Sequence, residues 1–285
     1  MNEISRAARQ GEAAAEGAAR RVAPWIERLA RVGYAMKGVV YIIIGALAVD
    51  AAFGGGGGEE SMSGAMARIS HAPYGRALLV LIAAGFLGYA VWRIVEAWTD
   101  PEARGDDAKG LTIRASQLVR GLIYLALTAE AVRMAINPFG QQSAGGDQGT
   151  QHWTAKLIGS PAGKWLAIAI GIGVVIYGLV ALWRAWAARL TKELALTGLG
   201  ARARRWVIGV ARFGIAARGV VFGIVGVSLV RAGWNANPSQ AHGTAGSLRT
   251  LSAGGQWLLA VVAFGLIAYG LYQFVKSRYR RVDVG

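Results

Sequence analysis

Cysteine is absent from this 285-residue chain, which excludes disulfides and thiolate chemistry. Charge is scarce: only 16% of the residues are Asp, Glu, Lys or Arg, against about 25% in a soluble domain. The three histidines, His71, His152 and His242, all fall between the apolar runs. With no His inside a run, haem has no axial ligand there. The three stand at different offsets from the runs that follow, with no Cys or close His pair beside them, so solvated loop residues are expected rather than a metal site. No Ser-His-Asp pattern, His-Glu-x-x-His motif or dinucleotide fingerprint is present. Neither catalysis nor a cofactor is expected. Residues 1–24 are rich in Ala, Arg and Glu and lack the apolar core of a cleavable signal peptide. They read as an amphipathic surface helix or a disordered tail.

What the chain has is apolar length. Hydrophobic residues make up 54% of it and its mean hydropathy is +0.38. Six runs of about 20 residues stand out, at 32–52, 76–97, 115–136, 164–186, 213–233 and 256–275, each long enough for a hydrocarbon core of about 30 Å. A net charge of +15 would point to nucleic acid in a soluble protein. Beside apolar runs it is a topology signal instead, and no nucleic-acid partner is expected. Of the 31 Lys and Arg, 24 lie on the side holding both termini and 7 on the other. Both termini are therefore expected in the cytoplasm.

One helix is written three times. Residues 31–41 read RVGYAMKGVVY, 114–124 RASQLVRGLIY and 212–222 RFGIAARGVVF. Arg31, Arg114 and Arg212 open the copies; Lys37, Arg120 and Arg218 follow, each directly before a Gly; Tyr41, Tyr124 and Phe222 close them. The even runs repeat as well, with Gly75, Gly85 and Tyr89 matched by Gly163, Gly173 and Tyr177, and by Gly255, Gly265 and Tyr269. The unit is a two-helix hairpin present three times, over 25–105, 106–195 and 196–285 (repeats 1 to 3), after the N-terminal segment 1–24. Copies of equal topology imply an axis along the membrane normal rather than inverted repeats. The expected fold is an all-α integral membrane protein, six helices in a pseudo-threefold bundle. The outer connections each begin loose, the first with Gly54–Gly58, and then carry a short amphipathic stretch, at 62–70, 153–159 and 247–252. These are expected to lie as short surface helices. The glycine run is followed by no Gly-Lys-Ser/Thr and reads as a linker, not a phosphate loop.

These odd-helix copies and the Gly-x9-Gly-x3-Tyr of the even helices resemble the bacterial membrane proteins built from tandem copies of domain of unknown function 1206. The resemblance covers about residues 25–281. The middle copy departs most, with Ala115-Ser116-Gln117 where the others have an aromatic and a Gly. The resemblance implies three two-helix repeats in a bacterial inner membrane and implies no activity.

Lys37, Arg120 and Arg218 each have an aromatic four residues on, so cation and ring share a face. Two readings stand. The cations snorkel to inner-leaflet phosphates, or they face inward around the axis and form an anion or lipid-headgroup site. Tyr89, Tyr177 and Tyr269 should lie at the same depth. There the Gly one turn earlier makes a packing notch, or the hydroxyl or ring meets the cation. Glu130 breaks the repeat, since Leu47 and Ser228 take its place elsewhere. It is either one half of a local ion pair with Arg133 or an intramembrane functional group. Glu96 is expected to pair with Arg93.

Two functional classes follow. One is a non-catalytic bundle binding anionic lipid or a partner protein, which a dry centre with outward cations would favour. The other is a small channel or transporter using the cation triad for an anion or polar solute, which a wet cavity reaching the cations would favour. Membrane lipid is the expected partner, with a second copy or another membrane protein possible. The topology is testable because the chain is Cys-free: single cysteines at Ser63, Gln148 or Ser239 should all react with an impermeant thiol reagent added outside intact cells. Protection of any one of them would break the six-span map.

Overall fold

The computed structural model describes residues 28, 31–54, 62–99, 107–137, 147–160, 162–187 and 200–279. The N-terminal segment 1–24, most of the five-glycine run and the residues after Tyr279 lie outside the described residues. All elements described are helical: α1 Arg31–Ala52, α2 Met62–Ser70, α3 Gly75–Thr99, α4 Ala108–Ile136, α5 Asp147–Ile158, α6 Gly163–Trp186, α7 Ala201–Trp234, a 3-10 turn at Pro238–Gln240, α8 Thr244–Ala253 and α9 Gln256–Tyr279. Five of them (α1, α3, α6, α7 and α9) are long and apolar enough to cross a membrane. The sixth expected span, α4, has 29 residues but is punctuated by Arg114, Arg120, Glu130 and Arg133.

The apolar runs mark the helices but not their ends. α7 starts at Ala201 rather than 213, α4 at Ala108 rather than 115, and α9 runs on to Tyr279. Hydropathy locates the part of a helix that suits lipid, whereas backbone bonding continues until a cap or breaker stops it. Asp107 is such a cap, its carboxylate accepting from the Gly110 amide at 2.8 Å. The short helices α2, α5 and α8 stand where short surface helices are expected, though α5 and α8 begin earlier, at Asp147 and Thr244. α8 has Gly243 at its N-cap, with no side chain to offer. Asp147 of α5 supplies the carboxylate across repeats, accepting from Gly243 N at 2.7 Å and Gly246 N at 3.0 Å.

One recurring joint holds the repeats together. The even helix of each repeat lies along the odd helix of the next, and the series closes on itself: α3 on α4, α6 on α7, α9 on α1. The Arg opening each odd helix donates to the last carbonyls of the preceding even helix. Arg114 Nε reaches Ala97 O at 2.9 Å, Arg212 reaches Ala185 O and Trp186 O at 2.6 Å, and Arg31 reaches Arg278 O at 3.4 Å. Those carbonyls have no partner within their own helix and carry the negative end of its dipole. Further along, the Gly after the second cation lets the backbones touch. A Cβ on Gly38 would stand 2.8 Å from Gly270 O, on Gly219 3.0 Å from Gly178 O, and on Gly121 3.3 Å from Ala90 O. In all three joints the facing residue directly follows the even-helix Tyr.

The hairpins themselves differ. In repeat 1, Gly33 of α1 packs on Gly85 and Tyr89 of α3; in repeat 3, Gly214 and Ala217 of α7 pack on Tyr269 and Gly265 of α9. In repeat 2 the corresponding residue is Ser116, Gly173 of α6 has open space beside it, and α4 and α6 are not a packed pair.

The outside of the bundle is apolar. Leu118, Leu122, Ile123, Ile176, Leu179, Val227 and Phe264 are exposed, and so are tryptophans at both ends: Trp98, Trp186 and Trp206 at one, Trp165, Trp234 and Trp257 at the other. On α6, Trp165 and Trp183 are 18 residues apart, about 27 Å along a helix, which fits two interfacial belts.

The glycine contacts make a stability prediction. Gly178→Leu puts side-chain atoms where the α7 backbone now lies, a Cβ already meeting Gly219 O at 2.8 Å, and should cost about 1–3 kcal/mol or more. Gly173→Leu enters open space and should change stability by less than about 0.5 kcal/mol. Thermal or SDS-induced unfolding of the purified protein separates the two; equal losses would mean that the α6–α7 joint is not the tight one.

Candidate functional site: cations held by tyrosine

The joints deliver cations and aromatic rings to the interior at one level. The even-helix tyrosine of each repeat packs edge-on against the odd-helix aromatic of the next, Tyr89 on Tyr124 at 4.5 Å between ring centres, Tyr177 on Phe222 at 5.4 Å and Tyr269 on Tyr41 at 4.8 Å. Each of the three repeated cations lies over the even-helix tyrosine of its own repeat: Lys37 Nζ 5.2 Å from the centre of Tyr89, the Arg120 guanidinium 5.6 Å from Tyr177 and that of Arg218 4.9 Å from Tyr269. Lys37 and Arg218 also meet the next repeat's odd-helix aromatic, Tyr124 at 5.1 Å and Tyr41 at 6.0 Å.

For Lys37 the snorkelling reading is corrected. Lys37 is only 5% exposed and is turned into the bundle instead of outward. Arg218 donates to the Tyr177 hydroxyl at 2.8 Å and to the Tyr41 hydroxyl at 3.3 Å, and its guanidinium lies 4.7 Å from Phe222. Arg120 is half-buried. The glycine beside each cation explains the inward turn, because it faces the neighbouring backbone and sets the preceding residue toward the interior. Tyr89, Tyr177 and Tyr269 lie at the depth expected and serve both as packing and as cation partners.

Among the described residues, no carboxylate lies within ion-pair distance of Lys37, Arg120 or Arg218. Lys37 instead feels the positive charge of Arg218, Arg93, Arg120 and Lys276. Tyrosine rings and hydroxyls carry the compensation. A desolvated cation over a ring gains about 2 kcal/mol, and a hydroxyl oxygen accepts from a guanidinium without bringing a charge of its own.

A second buried charge sits beside the triad. Arg93 and Glu96 form the expected ion pair, both almost wholly buried. Arg93 further donates to the hydroxyls of Tyr89 and Tyr34 and to Gln117 Oε1, each at 2.9 Å. Its repeat counterpart Gln273 donates to the Tyr269 hydroxyl at 3.2 Å. Sequence reading placed Arg93 in an ion pair but missed this network. The signal was available, since Arg93 and Gln273 each stand four residues after the repeat tyrosine and so share its face. Lys276, over Tyr272 at 5.1 Å, was missed also. Glu130 and Arg133 lie away from the triad's ring contacts; Glu130 is half-buried and Arg133 exposed. The histidines do not gather: His71 and His152 are exposed, and His242 lies 3.9 Å from Asp147 at the α8 cap.

The family described as Domain of Unknown Function (DUF1206) matches the chain three times in tandem, over 32–100, 115–188 and 213–280. The chain belongs to this family. Each match spans the hairpin of one repeat with its second cation, glycine and rings, and begins one residue after the opening Arg. An uncharacterized protein of Bacillus subtilis (strain 168), YxxB, is 32% identical over 263 residues, covering 91% of this chain and 93% of its own length. No solved structure matches this DUF1206 chain.

Removing one member of a buried pair leaves the other charged and alone, at a cost of about 3–5 kcal/mol. Glu96→Gln should therefore destabilise this DUF1206 protein strongly, and the paired variant Arg93→Met, Glu96→Leu should lose less. Unfolding in detergent measures both; a double variant as damaged as the sum of its parts would show that the pair is not coupled.

Proposed function

We propose that the protein is a non-catalytic, six-span bundle of the bacterial inner membrane that holds the anionic headgroup of a membrane lipid on Lys37, Arg120 and Arg218. In this reading α4 is the sixth span, because it fills the place of α1 and α7 in a repeat whose joints match theirs. The end from which α1, α4 and α7 start is cytoplasmic, since it collects 24 of the 31 Lys and Arg. One observation carries the binding role: three repeated cations turn into a tyrosine-lined interior with no carboxylate at ion-pair distance among the described residues. Buried structural charges are ordinarily neutralised by opposite ones. A group of like charges held by rings and hydroxyls is matched to an anion that arrives from outside the chain, and lipid phosphate is the abundant one in a membrane.

The inward direction of the cations also serves a small anion channel or transporter. The rings that interlock at this level, Tyr34 on Tyr89 and Tyr89 on Tyr124 among them, weigh against an open path and support the lipid reading over it.

The test is retention of phosphatidylglycerol by the purified protein, read by mass spectrometry. Each cation near a headgroup contributes about 1 kcal/mol, or about fivefold in binding. The triple variant Lys37→Gln, Arg120→Gln, Arg218→Gln should lose the lipid almost completely. Unchanged retention would end the proposal, and anion flux through liposomes that depends on the triad would favour the channel.

A further inference from the structure

Repeat 2 departs from its two neighbours at one face. The position before the even-helix tyrosine is Gly88 in repeat 1 and Ala268 in repeat 3, both buried; in repeat 2 it is Ile176, 54% exposed. The position before the odd-helix cation is half-buried Met36, Ala217 at 5% exposure and Val119 at 54%. Gly85 and Gly265 are buried against the partner helix, while Gly173 is exposed with nothing within 4 Å of where its Cβ would be. These residues line the facing sides of α4 and α6, which do not pack together. The seam is thus apolar at its walls. At its floor lies Arg120, half-buried over Tyr177, whose hydroxyl accepts from Arg218.

We infer that this seam is a lateral entrance from the bilayer, through which a lipid with an anionic headgroup brings that headgroup to Arg120 and Arg218 while its acyl chains stay against Val119 and Ile176. The inference rests on the anion-binding reading above and says by what route the ligand reaches the cations. The charge at the floor selects the occupant. A second copy of this chain would present the same cations to the same seam, adding like charge where an opposite one is missing. An uncharged lipid would cover the walls and leave the floor unmatched. A lipid with anionic phosphate fits both, apolar chains on apolar walls and negative charge on guanidinium. The other two hairpins are shut by glycine contacts, so Lys37 and the ring cluster lie behind the same opening.

The experiment uses full-length protein in nanodiscs of phosphatidylglycerol and phosphatidylcholine, with the lipid that stays bound after extraction counted by mass spectrometry. Gly173→Leu fills the seam, and Arg120→Gln removes the floor charge with a smaller perturbation than the triple variant. Both should lower retained phosphatidylglycerol by about fivefold, leave phosphatidylcholine unchanged, and leave elution on gel filtration as in the parent protein. Excess inorganic phosphate should not displace the lipid; displacement would make the ligand a free anion and overturn the lipid assignment. If Arg120→Gln and the triple variant lose the lipid while Gly173→Leu keeps it, the entrance is wrong and the anion site stands. If the triple variant keeps it, the anion site itself is wrong. A disulfide-linked dimer formed by Gly173→Cys in native membranes would put a second copy in the seam and overturn the inference as well.

Discussion

A positive charge taken out of water has to be met by something, and in this bundle it is met by tyrosine. Lys37 lies between two rings and Arg218 among four, two of which give it their hydroxyl oxygens. Carboxylates would bind such cations more strongly but would also complete the charge balance within the chain. Rings and hydroxyls hold the cation without cancelling it. The interior therefore keeps its positive character, and the adjacent Arg93–Glu96 pair shows the contrast, a charge neutralised in place and tied to both neighbouring helices.

The tyrosine clamp depends on the joint between repeats. Arg31, Arg114 and Arg212 anchor each odd helix to the carbonyl end of the even helix before it. That fixes the register along the joint. The glycine after the second cation then brings the two backbones together, and the preceding residue is carried inward beside the even-helix ring. Helices in lipid gain little from apolar contact with one another, so close backbone packing and polar anchors do the joining. The anchor and the notch occur in all three joints, including the one that closes α9 onto α1, and the clamp lies within each repeat.

Much of this is legible in the sequence itself. The spacing of cation, glycine and aromatic is a helical face, and its threefold recurrence carried the hairpin repeat and the level of the site. What spacing alone left undecided was direction: a face holding both a cation and a ring looks the same toward lipid as toward a packed interior. The partner that settles it, a glycine or alanine after the tyrosine of another repeat, is distant in sequence, between 31 residues for Gly121 facing Ala90 and 232 for Gly38 facing Gly270. The anchoring role of the first Arg was hidden for the same reason. Helix ends were read poorly because hydropathy responds to lipid, not to backbone bonding; α7 begins well ahead of its apolar run. The open hairpin did leave a trace, in Ser116 where the other copies have Gly and in Ile176 where they have Gly or Ala.

That trace has a physical sense when read with the charges. A ring closed equally at all three hairpins would bury Lys37, Arg120 and Arg218 together, three like charges in a medium where each repels the others far more than in water. Lys37 is buried here, and Arg120 and Arg218 are half-buried. Arg120, on the helix whose hairpin stays open, remains half-exposed at the seam. Ser116 stands where the other copies have Gly and Ile176 where they have Gly or Ala, and α4 and α6 do not pack together. The repeat that fits its own pattern least well is thus the one in which a repeated cation, Arg120, stands beside two helices that do not pack together.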